Sequence, residues 1–182
     1  MSCRLAVCLV VLLSGLAVAQ SARADLTEYQ LKAVFLLNFA RYVEWPDDKL
    51  PAGAEIELCV LGRDPFGGAL AAIDGKRAQG HVVRVRRLAL PEQAEACHLL
   101  FLAGSEAQQV GASLRVLGHQ PVLTVSDMDG FIDAGGGIGF AIVEDRVRFD
   151  INLRVLEATK LKASAQLMKI ARAVIGIGGT RQ

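Results

Sequence analysis

The chain has 182 residues, of which 52% are hydrophobic and 21% are charged, and its formal net charge is +1. This length and composition suit one ordinary globular domain and exclude a disordered chain, which would be more polar. No internal repeat or domain-sized linker interrupts the sequence, so we expect a single domain.

The first residues have the pattern of a secretory signal peptide. Arg4 is followed by an apolar run over 5–13, which is too short to span a bilayer. Small residues and two A-x-A motifs come next, Ala17-Val18-Ala19 and Ala22-Arg23-Ala24. We therefore expect 1–24 to be a signal peptide and 25–182 to be the mature, exported α/β domain, with cleavage after Ala24 or, alternatively, after Ala19.

Cleavage after Ala24 would also change the charge of the chain. It removes two of the 20 basic side chains, Arg4 and Arg23, and no acid, which leaves 18 bases, 19 acids and a formal charge of −1. Proteins that bind nucleic acid need a basic excess to neutralise phosphates, so this class is excluded.

Two cysteines remain in the mature chain, because Cys3 and Cys8 leave with the signal peptide. An even pair in an exported protein is most simply a disulfide, here between Cys59 and Cys97. The sequence has no C-x-x-C motif, which argues against a zinc site and against a thiol oxidoreductase. A bond that closes a loop of about 40 residues would stabilise the fold by roughly 4 kcal/mol.

The mature chain begins with a predicted amphipathic helix over 28–43. Thr27 and Gln30 match a capping box at its start. Apolar residues recur at helical spacing with no Gly or Pro among them, which favours a helix that packs on a core. The helix should end before Pro46, because the residue that precedes a proline avoids helical backbone angles.

Strands and helices alternate through the middle of the chain. Each predicted strand is a short and mostly apolar run, and capping or first-turn residues precede the helices. This order indicates a parallel sheet with right-handed crossovers. The predicted elements are strand 56–61, a helix from Pro65 to Ile73, a half-exposed strand 81–87 near an edge, a short helix 92–95, strand 97–102, a helix from Ser105 to Leu117, and strand 122–126.

The pattern changes after the last of these strands. Short strands over 138–143 and 147–151, joined by a tight turn, predict an antiparallel hairpin. Residues 152–159 and 163–175 have the pattern of a terminal helix that ends at Gly176. The predicted fold is therefore α/β, with a mostly parallel sheet that has helices on both faces, a C-terminal antiparallel hairpin and a terminal helix.

The turn that starts at Gly62 follows a strand, as phosphate-binding loops do. A Walker loop also needs a lysine and a hydroxyl residue after its second glycine, and both are missing after Gly67. We interpret the turn as a structural connection in which Asp64 caps the next helix and Pro65 occupies its first position. A weak anion site at that helix N-terminus is the alternative.

Open α/β sheets bind ligands beyond the carboxyl ends of their strands. The sequence therefore predicts a ligand pocket between the turns that follow strands 56–61 and 122–126. Its candidate residues are Gly62, Arg63, Asp64, Ser126 and Asp127. Three aromatic residues near the end of the first helix belong either to the core or, alternatively, to a ligand patch: Phe39, Tyr42 and Trp45.

No motif predicts a catalytic residue, a cofactor or a metal ion. Three acids suggest calcium but lack the full spacing and closing glutamate of a calcium-binding loop: Asp127, Asp129 and Asp133. The histidines are not at metal-ligand spacing: His81, His98 and His119. A hydrolase that uses Ser126, Asp127 and His98 is the enzymatic alternative, because catalytic partners need not be neighbours in the chain, although Ser126 lies outside any G-x-S-x-G motif.

Seven segments, spread along nearly the whole mature chain, are together specific enough to indicate a protein family, although no single segment is. They are 28–39 (EYQLKAVFLLNF), 43–46 (VEWP), 58–67 (LCVLGRDPFG), 97–101 (CHLLF), 121–127 (PVLTVSD), 137–140 (GIGF) and 147–153 (VRFDINL). This combination resembles the YfiR family of bacterial periplasmic proteins.

The resemblance implies a non-enzymatic α/β regulator in the periplasm. It implies binding to the periplasmic domain of an inner-membrane diguanylate cyclase, repression of cyclic di-GMP synthesis and release by envelope redox state or cell-wall stress. It also implies a homodimer and a disulfide between the cysteines that match Cys59 and Cys97. The second cysteine pair of some family members is missing here, so redox switching through that pair is not expected.

We therefore predict a periplasmic repressor whose partners are the cyclase domain and a second copy, with no nucleic acid and no direct membrane insertion. The alternative is a periplasmic module that binds a small molecule, such as a nucleotide or a cell-wall fragment.

Overall fold

The computed structural model describes residues 27–176. The predicted signal peptide and both of its cleavage positions lie outside these residues. The helices are α1 (Glu28–Tyr42), α2 (Val110–Leu117), α3 (Leu153–Ala158) and α4 (Ala165–Ile170). The strands are β1 (Val43–Glu44), β2 (Ile56–Leu61), β3 (Arg77–Ala78), β4 (His81–Leu88), β5 (Leu99–Leu102), β6 (Leu123–Ser126), β7 (Ile138–Val143), β8 (Arg146–Asn152), β9 (Lys162–Ala163) and β10 (Ala173–Ile175).

Eight of the strands form one sheet in the order β10-β8-β7-β6-β5-β2-β4-β3. Its central strands β4, β2, β5, β6 and β7 are parallel to one another. β8 is antiparallel to β7, β3 is antiparallel to β4, and β10 is parallel to β8. β1 and β9 form a separate antiparallel pair. The predicted α/β fold with a mostly parallel sheet and a C-terminal hairpin, β7–β8, is confirmed.

The side chains of β2 alternate between two apolar layers. Ile56, Leu58 and Val60 pack in the layer that contains α1. Cys59 and Leu61 pack in the opposite layer, with α2 and the 3₁₀ turn that precedes β5. All five side chains are at most 1% exposed. A strand that is covered on both faces has a near-continuous apolar sequence, here interrupted by Glu57 alone, which is why the sequence predicts its bounds correctly.

The helix α1 begins at the predicted capping box. The Gln30 N–H donates to Thr27 Oγ1 at 3.3 Å, and the Thr27 N–H donates to Gln30 Oε1 at 2.7 Å. This arrangement satisfies backbone donors at the helix start that have no partner within the helix.

The aromatic residues near the end of α1 belong to the core. Phe39 is fully buried, and its ring lies 5.0 Å from that of Phe149 in an edge-to-face arrangement. Trp45 is 8% exposed and donates from Nε1 to the His98 carbonyl oxygen at 3.0 Å. Tyr42 packs against the same core with part of its side chain exposed. The core interpretation is therefore the better account of these three residues.

The predicted helix between Pro65 and Ile73 is wrong in type. The structure forms only a 3₁₀ turn there, Ala69–Ala72. Gly67 has a φ of 56°, which is incompatible with a right-handed helix and is a conformation that glycine adopts readily. The chain therefore winds into a short turn only after it has passed this residue.

The predicted helix from Ser105 begins later than expected, at Val110. A 3₁₀ turn, Gly104–Glu106, occupies the first part of the segment. The Ser105 hydroxyl does not cap the helix, because its Oγ accepts the Arg63 N–H at 2.9 Å from the turn after β2.

The last part of the predicted terminal helix is also wrong. α4 ends at Ile170, and Ala173–Ile175 form β10 against β8. The segment fits a helical period, but β8 offers an open edge and the β-branched residues Val174 and Ile175 suit a strand. Tertiary pairing therefore overrides the local pattern. Gly176 follows this strand rather than a helix, with a φ of 111°.

Candidate functional site

A buried charge network joins α1 to the carboxyl end of β6. Lys32 is 2% exposed, and its Nζ lies 2.6 Å from Asp127 Oδ2 and 2.5 Å from Glu28 Oε1. The same ammonium lies 4.5 Å from the centre of the Tyr29 ring, within the range of a cation–π contact. Buried lysines need such partners because an uncompensated charge in the interior is costly.

The turn after β6 places Asp127 in this network. The Ser126 hydroxyl donates to the Leu102 carbonyl oxygen at 2.8 Å and accepts the Met128 N–H at 3.1 Å. Ser126 is fully buried, so its hydroxyl ties the end of β6 to β5 and fixes the direction of the following residue. The Ser126 hydroxyl therefore has a structural role in this turn, whereas the Asp127 side chain reaches the network.

Tyr29 donates the second hydrogen bond to Asp127. Its hydroxyl lies 2.9 Å from Oδ2. Burial and the neighbouring Asp127 carboxylate raise the pKa of Tyr29 to about 12, so the hydroxyl remains a proton donor throughout the physiological range. One carboxylate oxygen therefore accepts from both a phenol and an ammonium, which holds the first turns of α1 against the sheet.

A cavity of about 440 Å³ opens beside this network. It lies at the carboxyl edge of the parallel strands, where α/β proteins usually bind ligands. Its charged and polar lining can bind a small polar molecule, and Phe140 and Ile142 add an apolar wall. The lining residues are Glu28, Tyr29, Lys32, Asp127, Asp129, Phe140, Ala141 and Ile142.

The structure does not bring the turn after β2 into this cavity. Of the five predicted pocket residues, Asp127 lines it, and the other four do not: Gly62, Arg63, Asp64 and Ser126. Asp64 instead accepts the Phe66 N–H at 2.7 Å and pairs with Arg87 at 2.7 Å. The prediction that Asp64 caps a helix with Pro65 at its first position is therefore wrong, because the carboxylate closes a local turn and no helix begins there.

The turn at Gly62 is closed by side chains from the segment after β5. Gly62 has a φ of 89°, and a Cβ at this position would lie 2.5 Å from Ser105 Oγ and 2.7 Å from Glu106 Oε1. An anion at this turn would meet a carboxylate at the same place, so the geometry disfavours phosphate. The contacts with Ser105 and Glu106 therefore favour a structural connection over an anion site at this turn.

Cys59 and Cys97 form a disulfide with a Cα–Cα distance of 6.0 Å. Both residues are fully buried in the layer that contains α2. Cys97 lies two residues before β5, so the bond joins β2 to the segment that leads into its neighbour in the sheet.

His98, beside the disulfide, is held by backbone groups. The Glu57 N–H donates to Nδ1 at 3.0 Å, and Nε2 lies 3.0 Å from the Lys49 carbonyl oxygen. This pattern assigns the ring proton to Nε2. Burial lowers the pKa of His98, which favours the same neutral ring. Both ring nitrogens are thus engaged, which disfavours the hydrolase alternative built on His98 and Ser126.

Sequence reasoning missed Lys32, Tyr29 and Glu28 as partners of Asp127. Lys32 is 95 residues from Asp127 in the chain, and Tyr29 is 98 residues away. A lysine within the apolar face of α1 was the available signal, because a lysine on a buried face needs an acidic partner.

Among residues 27–176, no group of three or more His, Cys, Asp or Glu side chains is placed to hold a metal ion. Within the same residues, no helix combines the length and the apolar character that crossing a membrane requires.

Comparisons with known proteins identify the fold and the family. The crystal structure of a conserved domain protein from Vibrio cholerae O1 biovar eltor str. N16961 has a TM-score of 0.55 and 8% sequence identity to this chain. The match covers 82% of this chain and 61% of that protein, so this chain spans about three fifths of its length and shares its fold. The model of the YfiR/HmsC-like family, DUF4154, matches residues 29–172. The chain therefore belongs to the YfiR/HmsC-like family.

Proposed function

We propose that this protein is an exported, non-enzymatic regulator that binds the periplasmic sensor domain of an inner-membrane diguanylate cyclase. In the bound state the cyclase is repressed, and envelope or redox state controls its release. The observation that carries this proposal is the family match over 29–172, which extends from the first turn of α1 to the residue before β10. The signal-peptide pattern over 1–24 supports export.

Repression of this kind requires a difference in affinity between two states of the cyclase. The regulator must bind the inactive conformation more tightly than the active one, because equal affinity shifts no equilibrium. To move a sensor from 1% to 99% inactive, the binding free energies of the regulator for the two conformations must differ by about 5.5 kcal/mol. A rigid binding surface helps, because little ordering cost is then incurred on binding. The buried disulfide and the Lys32–Asp127 network both support such rigidity in this chain.

A non-enzymatic role agrees with the chemistry of the polar groups. The Ser126 hydroxyl bonds to backbone groups, and so do both ring nitrogens of His98. Asp127 is engaged by a lysine and a tyrosine. Catalytic nucleophiles and bases are instead placed to contact one another and a substrate.

Deletion of the gene tests the proposal. We expect cyclic di-GMP to rise in the deletion strain and to return to its original level when the full chain is supplied. The control is a chain without residues 1–24, which should not complement, because it would remain in the cytoplasm, away from the periplasmic sensor domain. The full chain should also co-purify with a membrane cyclase from the same genome. An unchanged cyclic di-GMP level in every growth condition would contradict the proposal.

A second candidate function is small-molecule binding in the cavity beside Lys32 and Asp127. The position of this cavity at the carboxyl edge of the sheet favours it. Thermal-shift screening with nucleotides and cell-wall fragments should then find a stabilising ligand. Ile142 lines the cavity and is 51% exposed, so Ile142→Trp should obstruct it and abolish the shift. Val116→Trp is the matched control, because Val116 is 45% exposed on α2. Equal shifts in both variants would rule out this cavity.

A further inference from the structure

The two edges of the eight-stranded sheet differ in character. At one edge, β3 has two residues and begins with Arg77, and the adjacent strand β4 carries three further arginines. Short and charged edges discourage pairing with another chain. At the other edge, Ala173, Val174 and Ile175 of β10 are uncharged and partly exposed. Among the described residues, β10 pairs with β8 alone.

The backbone of β10 presents hydrogen-bonding groups on its outer side. The Arg172 N–H donates to the Phe149 carbonyl oxygen of β8 at 2.8 Å. Successive residues of a strand direct their backbone groups to opposite sides, so those of Arg172 and Val174 face β8. The N–H and C=O groups of Ala173 and Ile175 therefore point away from the sheet. They form a template for one more strand.

The charge of the segment that carries β10 is predominantly positive. Residues 153–176 contain five bases and one acid, whereas residues 27–152 contain 12 bases and 17 acids. The five bases are Arg154, Lys160, Lys162, Lys169 and Arg172, and the acid is Glu157. The segment that carries β10 is thus the basic part of an otherwise acidic domain.

Basic side chains lie at both ends of β10. Arg172 directly precedes the strand, pairs with Asp150 and leaves 45% of its side chain exposed. Lys169 is exposed in the last turn of α4. At the other end, a Cβ on Gly176 would lie 2.7 Å from Arg154 Cγ, so the Arg154 side chain is beside the end of the strand. Ile170, 53% exposed, adds an apolar contact near the start.

We propose that β10 is a docking edge for an acidic, extended segment of a partner protein, which adds to the sheet as a further strand. The outer backbone groups of Ala173 and Ile175 fix the register, and acidic side chains of the segment pair with the bases at either end of β10. Strand addition takes affinity from main-chain hydrogen bonds and specificity from the flanking side chains. This inference goes beyond the proposed function, because it holds for any partner of this chemistry.

A second copy of the chain fits this edge less well. Antiparallel pairing of two β10 strands places the start of one beside the end of the other. Lys169 of one copy would then approach Arg154 of the other, and like charges across a strand pair are destabilising. An acidic segment meets the same edge with opposite charge at both ends.

Peptide binding to the mature chain, residues 25–182, tests the proposal. The probe is a capped eight-residue peptide that alternates glutamate with valine and threonine, and its counterpart has lysine in place of glutamate. Chemical shifts and hydrogen exchange of the backbone amides are measured by nuclear magnetic resonance. We expect the acidic peptide, at millimolar concentration, to shift the amides of Ala173 and Ile175 and to slow their exchange. The lysine peptide should do neither.

Two pairs of variants separate the backbone contribution from the charge contribution. Ile175→Pro removes an outward N–H without removing a bond to β8, so binding should weaken about tenfold, whereas Ile175→Val should bind normally. Lys169→Glu should weaken binding about two- to fivefold through the loss and reversal of one charge. Lys76→Glu makes the same charge change in an exposed residue before β3 and should have no effect.

Four results would overturn the proposal. The first is equal binding of the two peptides, and the second is no shift at β10 with the acidic peptide. The third is a dimer in sedimentation that dissociates in Ile175→Pro, which would assign the edge to a second copy. The fourth is binding to phosphatidylglycerol vesicles that depends on Lys169 while the acidic peptide fails, which would assign the basic surface to lipid.

Discussion

Replacing Lys32 by methionine tests the buried charge network directly. The Lys32 side chain is 3% exposed and that of Asp127 is 12% exposed, so water screens this pair poorly. Methionine has a similar volume and would leave the Asp127 carboxylate with the hydrogen bond from Tyr29. Removing one partner of a buried ion pair costs about 3–5 kcal/mol. The free energy of unfolding should fall by that amount, out of about 5–15 kcal/mol for a typical domain.

The reciprocal change at Asp127 should cost less. Asp127→Asn keeps an oxygen that accepts from Tyr29, and Lys32 retains Glu28 Oε1 at 2.5 Å. Glu28 is half exposed, so part of the charge remains compensated near water. We expect a loss of about 1–3 kcal/mol. The double variant should lose at least about 1 kcal/mol less than the sum of the single variants, because the charge that it leaves without this pairing, on Glu28, is half exposed to water and neither buried charge remains.

Equilibrium unfolding in urea measures these differences, provided that the variants share one slope against denaturant. The control is Arg84→Met, which removes a pair with Glu55 in which both side chains are about half exposed. Its midpoint should not change measurably, because water screens exposed pairs. A Lys32→Met midpoint equal to that of the unchanged chain, or strict additivity in the double variant, would refute the reasoning.

The other predictions concern the disulfide, the histidine beside it and the turn after β2. Reduction of the Cys59–Cys97 bond, or its replacement by two alanines, should lower the free energy of unfolding by roughly 4 kcal/mol in urea titrations, and a loss below 1 kcal/mol would contradict the chain-entropy estimate. Burial lowers the pKa of His98 below its usual 6.5. The contribution of the neutral ring to the free energy of unfolding is therefore complete above pH 6.5, and it is lost as the pH falls from 6.5 to the folded-state pKa. Urea midpoints between pH 7.5 and pH 5 should therefore fall more steeply for the unchanged chain than for His98→Gln, and parallel curves would contradict this assignment. Gly62→Ala should lower the melting temperature more than Gly67→Ala, because both have positive φ but only the Gly62 Cβ would meet other atoms within 4 Å.

Local signals in the sequence predict the elements that one segment specifies by itself. The near-continuous apolar run from Ile56 to Leu61 gives the bounds of β2, and Thr27 with Gln30 gives the start of α1. Both depend on residues within about six positions of one another. The parallel sheet follows from the order of such elements.

The remainder depends on contacts between distant segments. Val174 and Ile175 form a strand because they pair with the edge of β8. The helical period of the local sequence does not reveal this pairing. Asp127 was predicted as a site residue from its position after a strand. Its partner Lys32 is 95 residues away, and no local pattern connects the two. The closing of the Gly62 turn by Ser105 is a contact of the same long-range kind.

The disulfide also defines a covalent ring within the fold. Both β3 and β4 lie between Cys59 and Cys97 in the chain, so one entire edge of the eight-stranded sheet is enclosed in this ring. A single proteolytic cut at the β3–β4 turn would yield two fragments that stay attached to each other until a reductant is added. The β10 edge lies outside the ring, so a cut before β10 would free it from the covalent structure. A cleaved segment therefore stays covalently attached at the β3–β4 edge of the sheet and can dissociate at the β10 edge.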